Sequence, residues 1–343
     1  MNFAFLIDPP ESLHIEKDTS FALMLEAQRR GHQVQVLERG DLSLDKGKLV
    51  LRLRAAKLAD NALKPFELSE AKITAADEMD VLFVRTDPPF NTAYLTDTWL
   101  LSQTKNKPLV LNAPHGLRTI NEKIWAAQFA DITPTTLITA SDAEFKAFLA
   151  EHKTVVVKPT DGFGGSAVFL LSHGDKNAAV TFETLQRMSG YVIVQAYIPA
   201  ATSGDKRILL LRGEILGAVL RYHSGDDHRN NFAAGGKAMQ TEISESDRII
   251  CERLKPHLLE NGIFFAGIDI IGDKLIEVNV TSPTCLREMQ RYYTENLAER
   301  VIVAAEEEMI KKAISSPPLH AYGEGRSRLG ASPRGGEVKN ARN

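Results

Sequence analysis

The sequence predicts a mixed fold, α/β at its N-terminal end and α+β beyond it. Strands and helices alternate from Phe3 to about Gly116, the signature of a small sheet flanked by helices. Two glycine-rich hairpins follow, one around Gly162 and one around Gly272. The composition is that of a globular protein: 343 residues, 43% hydrophobic, 25% charged, formal net charge −3, enough for two or three domains.

Phe3–Ile7 is expected as a buried strand, followed by a helix from about Thr19 to Arg30. Phe21, Met24, Leu25 and Ala27 cluster on its inner side, with Asp18 as N-cap and Gly31 just past its end. Strands are expected at Gln33–Leu37, Val81–Val84 and Leu109–Leu111, with a helix near Ala93–Thr104. Residues 40–79 carry charged, short apolar pieces with weak period. The next region predicts helices at Glu122–Phe129, Asp142–His152 and about Ala178–Met188. Strands at Val155–Lys158, Ala167–Leu171 and Tyr191–Gln195 accompany them. The third region predicts strands Ile208–Leu211 and Ile215–Tyr222, a long polar loop to Lys237, a helix near Ser246–Glu260, a hairpin, and a final helix from about Leu286 to Lys312. After Ala313 the chain turns to Ser, Pro, Gly and Arg and is expected to be a disordered tail.

Several classes are excluded. The near-neutral charge argues against nucleic acid or an anionic membrane as partner. No run is apolar enough for a membrane span, and the N-terminal apolar run is short, without a basic lead-in. Cys251 and Cys285 make no disulfide framework, so a cytoplasmic location is expected. There is no Ser-His-Asp, HExxH or CxxC arrangement, and Asp8-Pro9-Pro10 stands where a dinucleotide fingerprint would follow the first strand.

The segment Gly267-Ile-Asp-Ile-Ile-Gly-Asp-Lys-Leu-Ile-Glu-Val-Asn-Val280 carries the clearest chemistry. Glu277 and Asn279 lie two apart on a strand and so point the same way. A three-residue turn, Gly272 to Lys274, sets Asp269 opposite Glu277, Ile268 opposite Val278 and Ile270 opposite Ile276. The polar face is then a cluster of hard oxygen donors, suited to Mg²⁺ shared with a phosphate. A solvated strand face is the competing reading.

In Val155-Val-Val-Lys158-Pro-Thr-Asp-Gly162-Phe163-Gly164-Gly165-Ser166 a lysine ends a buried strand before a glycine loop, and another strand returns. Backbone N–H groups in such a loop approach phosphate oxygens, and Lys158 adds charge; an exposed flexible hairpin is the alternative. The polar stretch 223–237, with Arg221, Arg229 and Lys237, is long enough to be a lid over a carboxylate or phosphoryl group, or a mobile insertion. Arg85 ends a strand, where ligands sit in open α/β sheets, and Arg207 opens one; both fit an anion or a structural ion pair. Together these parts suit phosphoryl transfer, in which catalysis is positioning and charge neutralisation.

The chain resembles the ATP-grasp superfamily, and within it the bacterial glutathione synthetases, over about residues 1–313. The marks are Lys17-Asp-Thr-Ser-Phe-Ala, Arg85-Thr-Asp-Pro-Pro-Phe90, Asn121-Glu-Lys123, Lys158-Pro-x-Asp-Gly-x-Gly-Gly165, Asp205-Lys-Arg207, Asn231-x-Ala-Ala-Gly-Gly236 and Glu277-Val-Asn-Val-Thr-Ser-Pro283. Asn230 departs from the family pattern, which has glycine after the lid arginine.

The resemblance implies an ATP-grasp fold: an N-terminal α/β domain (1–118), a central lid subdomain (119–195) and a C-terminal antiparallel-sheet subdomain with the metal site (196–313). It implies that Lys123 and Lys158 meet ATP phosphates under Gly162, Phe163, Gly164, Gly165 and Ser166. Gln195, Tyr197 and Ile198 would line the adenine, with Asp205 near the ribose. Glu277 and Asn279, helped by Asp269, would hold Mg²⁺ or Mn²⁺. Arg207 and Arg229 would meet the phosphorylated intermediate, Arg85 and Arg221 the peptide, and Ser282 and Thr284 the acceptor end. The implied reaction joins γ-glutamylcysteine and glycine with ATP, in a homotetramer. Another carboxylate-amine ligase of the superfamily, or a nucleotide-binding protein without turnover, are the competing readings.

Overall fold

The computed structural model describes residues 1–223 and 237–315. The lid reading, with Arg229 and Asn230, and the tail reading beyond 315 lie outside the described residues.

The first sheet is built from β1 (Asn2–Leu6), β2 (Gln33–Leu37), β3 (Leu42–Asp45), β4 (Lys48–Leu58), β5 (Phe66–Leu68), β6 (Lys72–Ala75), β7 (Val81–Val84) and β8 (Leu109–Leu111). Its order is β3-β4-β2-β1-β7-β8, with β5 and β6 also pairing β4. The strands β2, β1, β7 and β8 are parallel, as alternation with helices requires. Helix α1 (Thr19–Arg29) starts where Asp18 accepts from the Phe21 N–H, and Gly31 follows its end at φ 83°. Helices α2 (Thr92–Leu101) and α3 (Pro114–Thr119) complete this part.

Residues 40–79, weak in period, form an antiparallel meander around β4. Leu49, Leu51 and Leu53 alternate inward, and Lys46-Gly47 turns the β3–β4 hairpin with both residues at positive φ.

The second sheet has the order β11-β10-β12-β9 and is antiparallel: β9 (Thr136–Thr139), β10 (Thr154–Pro159), β11 (Phe169–Ser172) and β12 (Val192–Ala196). Helices α4 (Asp142–His152) and α5 (Ala178–Ser189) cover one face, where Phe145 and Phe182 stack at 4.6 Å over Val155, Val157 and Val194. Val156 and Lys158, with the opposite pleat, are left facing away from those helices. The expected helix 122–129 is instead a series of turns ending in a 3₁₀ segment, Ala126–Gln128. Asn121 diverts the chain there by accepting from the N–H groups of Lys123 and Ile124.

The third sheet, β15-β14-β13-β16-β17, is antiparallel: β13 (Asp205–Leu211), β14 (Glu214–Tyr222), β15 (Lys237–Met239), β16 (Phe265–Ile271) and β17 (Lys274–Asn279). Helix α6 (Glu245–Glu260) opens on a Ser244/Asp247 capping box and buries Ile250, Cys251, Leu254 and Leu258 in the same core as Ile208, Ile268 and Val278. The expected single C-terminal helix is two, α7 (Leu286–Gln290) and α8 (Leu297–Ser315). The Gln290 side chain donates to the Tyr293 and Glu295 carbonyls and accepts from the Leu297 N–H, while Asn296 accepts from Glu299 N–H to start α8.

Asn112 ties the first part to the third sheet. Its Nδ2 donates to the carbonyls of Phe265 (2.8 Å) and Val280 (2.7 Å), and its Oδ1 accepts from the N–H groups of Phe264 and Phe265, both at 2.8 Å.

Candidate active site

A cavity of about 500 Å³ opens between the second and third sheets. The second sheet contributes Val156, Lys158 and Gln195 from its helix-free face, and the third contributes Arg207, Asp269, Glu277 and Asn279.

The β16–β17 register sets this second wall. Asp269 pairs with Glu277 and Ile268 with Val278, as the residue pattern predicts. Ile270 pairs with Leu275 instead of Ile276, because the turn is the two-residue Gly272-Asp273 and a bulge follows Asp269. The bulge sends Leu275 and Val278 into the core and leaves Ile276, Glu277 and Asn279 half-buried along the cavity.

Arg207 lies opposite Asp269 across β13 and β16, so Arg207, Asp269 and Glu277 form one row across three strands. Arg207 donates to Asp269 through Nε and, at 2.9 Å, through Nη2. Arg221 donates to Asp205 through both Nε and Nη2 and stands 3.0 Å from Asp269 Oδ2. Burial works to raise the Asp269 pKa, but the two guanidinium groups outweigh it and hold this carboxyl far below the usual carboxylate range. Asn279 Nδ2 lies 3.4 Å from Asp269 Oδ2, which turns the Asn279 amide nitrogen towards Asp269. Gly267, opposite Asn279, leaves room for the arginine stem: a Cβ there would sit 3.2 Å from Arg207 Cδ and 3.1 Å from Pro283 Cβ.

Two lysines face these groups. Lys123 Nζ donates to the Gly162 carbonyl at 2.5 Å and to Glu277 Oε1 at 3.1 Å. Burial opposes its charge, yet Glu277 and Glu122 hold its pKa above the ordinary lysine value. Lys158 is 5% exposed, and among the described residues no carboxylate pairs with it; burial pushes its ammonium down to about 8, only partly offset by Glu277. The loop after it turns at Gly164 and Gly165, both at positive φ, and Ser166 N–H closes on the Phe163 carbonyl. Gly162, Phe163, Gly164, Gly165 and Ser166 all line the cavity, and half of Phe163 is exposed over it.

Tyr197, Ile198, Asp205, Ser282 and Thr284 line the cavity as well. Arg85 does not. It is 4% exposed behind the wall, donating to Ser20 Oγ at 3.0 Å and to the Pro283 carbonyl at 2.9 Å. A strand-end arginine reads the same in sequence whether it faces a ligand or the chain behind it. Here the helix α1 start and the 280–284 segment claim it.

Glu122 lines the cavity and escapes the sequence reading, since an acidic residue in a turn carries no pattern of its own. Its Oε1 accepts from Val280 N–H, Thr281 N–H and Thr281 Oγ1, and its backbone carbonyl accepts from Val278 N–H. With Asn112 and Arg85 it holds the 280–284 segment from three sides. Cys251 and Cys285 are both buried, as packing residues should be.

The arrangement has the parts for moving a phosphoryl group: buried cations, paired arginines and a row of oxygen donors on one strand face. Comparison with known proteins decides the family. Residues 1–118 match the model for the prokaryotic glutathione synthetase N-terminal domain, and 122–294 match that for its ATP-grasp domain. The chain belongs to the prokaryotic glutathione synthetase family. Glutathione synthetase of Salmonella typhimurium is 41% identical over 315 residues, 91% of this chain and 100% of that protein. The Vibrio parahaemolyticus glutathione synthetase is 38% identical, over 89% of this chain and 98% of its own length.

Among solved structures, D-cycloserine synthetase DcsG superposes with a TM-score of 0.64 at 15% identity, covering 90% of this chain and 100% of that one. D-alanyl-alanine synthetase A from Vibrio cholerae gives 0.59 at 12% identity, covering 90% and 98%. These likenesses show the fold, which the family model matched over residues 122–294 names ATP-grasp. Among the described residues no helix is long and apolar enough to cross a membrane.

Proposed function

We propose that this glutathione synthetase family member joins γ-glutamylcysteine to glycine in the cavity between the two antiparallel sheets, with ATP converted to ADP and phosphate. The observation that carries the assignment of roles is that Lys123 and Lys158 face the Arg207–Asp269–Glu277 row across that cavity.

ATP would lie with its base at Gln195, Tyr197 and Ile198 and its ribose by Asp205. Lys123 and Lys158 would neutralise the phosphates beneath the Gly162–Ser166 loop. Glu277 and Asn279 fit a divalent cation: both present oxygen donors on one strand face, and the Asn279 amide nitrogen is already directed at Asp269. Asp269 is engaged by two arginines and would join them only with its remaining lone pairs. Mg²⁺, or Mn²⁺, bound there would offset the charge of the phosphates.

The cysteinyl carboxylate attacks the γ-phosphorus, ADP leaves, and an acyl phosphate forms. The glycine amine then attacks the acyl carbon, and the tetrahedral adduct expels phosphate to give glutathione. Arg207 and Arg221, held in place by Asp269 and Asp205, would stabilise charge on the transferred group. Ser282 and Thr284, on the segment clamped by Glu122, Asn112 and Arg85, would line the acceptor end.

Purified protein with Mg-ATP, γ-glutamylcysteine and glycine, each omitted in turn, tests the reading by ADP release and mass detection of glutathione. Product only with all present supports it. ATP turnover with a different carboxylate alone would overturn the substrate assignment.

A further inference from the structure

Resting on the nucleotide reading above, we propose that Thr136 is a positioning residue that locks the Gln195 amide with its oxygen towards the cavity, so that the site selects a 6-amino purine over a 6-oxo purine. Val156, Gln195 and Thr136 occupy one row across β10, β12 and β9. Their chain neighbours Val155, Val157 and Val194 lie in the core on the other face, so this row belongs to the cavity side. Gln195 is 7% exposed and lines the cavity together with Pro134, Ile198, Ile271 and Ile276, which make an apolar slot in its lining.

The direction of each hydrogen bond follows from proton counting. Thr136 Oγ1 lies 2.8 Å from the Pro134 carbonyl oxygen, which has no proton to give. The hydroxyl has a single proton, and that bond consumes it. Towards Gln195, Thr136 therefore offers lone pairs alone and accepts from Gln195 Nε2 at 3.0 Å. The flipped amide would set Oε1 against those lone pairs, with two acceptors facing each other. Gln195 Oε1 is thus committed to the cavity as an acceptor. A 6-amino group donates to it; a 6-oxo group would set a second acceptor against it. A mismatch of this kind costs about 10- to 100-fold in affinity or kcat/KM.

Thr136 itself does not line the cavity, so its substitution leaves the slot intact and frees the amide to rotate. The test compares ATP with ITP on the full chain with Mg²⁺, by calorimetric binding and by kcat/KM for nucleoside diphosphate release with γ-glutamylcysteine and glycine. The wild type should prefer ATP by about 10- to 100-fold. Thr136→Val, isosteric but without the hydroxyl, should bring the ATP/ITP ratio close to unity by weakening ATP and improving ITP. Thr136→Ser, which keeps the hydroxyl, should keep the ratio. A wild type that takes ATP and ITP alike overturns the inference while leaving the nucleotide site standing, and it needs no variant to fold. A folded Thr136→Val with the wild-type ratio overturns it as well. Binding of neither triphosphate overturns both this inference and the reading beneath it.

Discussion

Arg207 and Asp269 are direct cross-strand partners, joined at 2.9 Å between Nη2 and Oδ2 and through Nε, with both side chains more than nine-tenths buried. Removing one member of a buried pair leaves the other charge desolvated, which costs about 3–5 kcal/mol. Arg221 loses the same anion and, among the described residues, keeps Asp205 as its carboxylate partner. Asp269→Asn should therefore lower the unfolding free energy by about that amount, read from the urea midpoint. The double variant Arg207→Met/Asp269→Leu should be inactive yet recover much of the loss. A single variant as stable as wild type would show that the pair carries no such charge burden.

Glu277 sits in the same row but is half-buried, and its described partner is Lys123 at 3.1 Å. It faces the cavity, and its backbone, not its side chain, holds the sheet. Glu277→Gln should abolish turnover with little change in the denaturation midpoint. Near-normal turnover would remove Glu277 from the proposed cation site.

Much of this site is legible in the sequence because strand pleat is periodic. Glu277 and Asn279, two apart, had to share a face, and Asp269 had to meet Glu277 for the isoleucines to reach the core. Legibility ends where a single residue changes phase. The bulge after Asp269 moves Ile276 to the cavity, and nothing local in Lys274-Leu-Ile announces it. Asn121 makes a turn of what reads as a helix, and the loop to Asn296 divides another. Arg85, Glu122 and Asn112 act over long range, on partners about 160 to 200 positions away for the 280–284 contacts, so no window of sequence contains both ends.

Asn112 gives a direct measure of that long-range tie. Its amide satisfies two buried carbonyls and two buried N–H groups of the 264–265 and 280 backbone. Asn112→Ala orphans all of them, and each unsatisfied buried group costs about 1–3 kcal/mol before water relaxes into the gap. The variant should lose at least about 2 kcal/mol of stability and show faster hydrogen exchange at the Phe264 and Phe265 amides. Asn112→Asp should fare no better, since a second carboxylate oxygen would face the Phe265 and Val280 carbonyls. A change within about 0.5 kcal/mol would mean that water replaces the side chain at no cost.

Lys158 sets the expected pH dependence. Burial lowers its folded pKa to about 8, while an unfolded lysine holds its proton to about 10.4. Between these values the unfolded chain binds more protons, so without ligand this group makes the protein more stable as pH rises from about 8 towards 10. Nucleotide binding should respond with the opposite sign. A triphosphate attracts the ammonium form, so ATP affinity should fall as pH rises through about 8, and binding above that pH should take up a proton. Calorimetry at one alkaline pH in two buffers of different protonation enthalpy reads that uptake directly. Lys158→Arg keeps the charge at every accessible pH and should abolish the uptake. Equal heats in the two buffers for the wild type would place the lysine proton, and with it the phosphate contact, elsewhere.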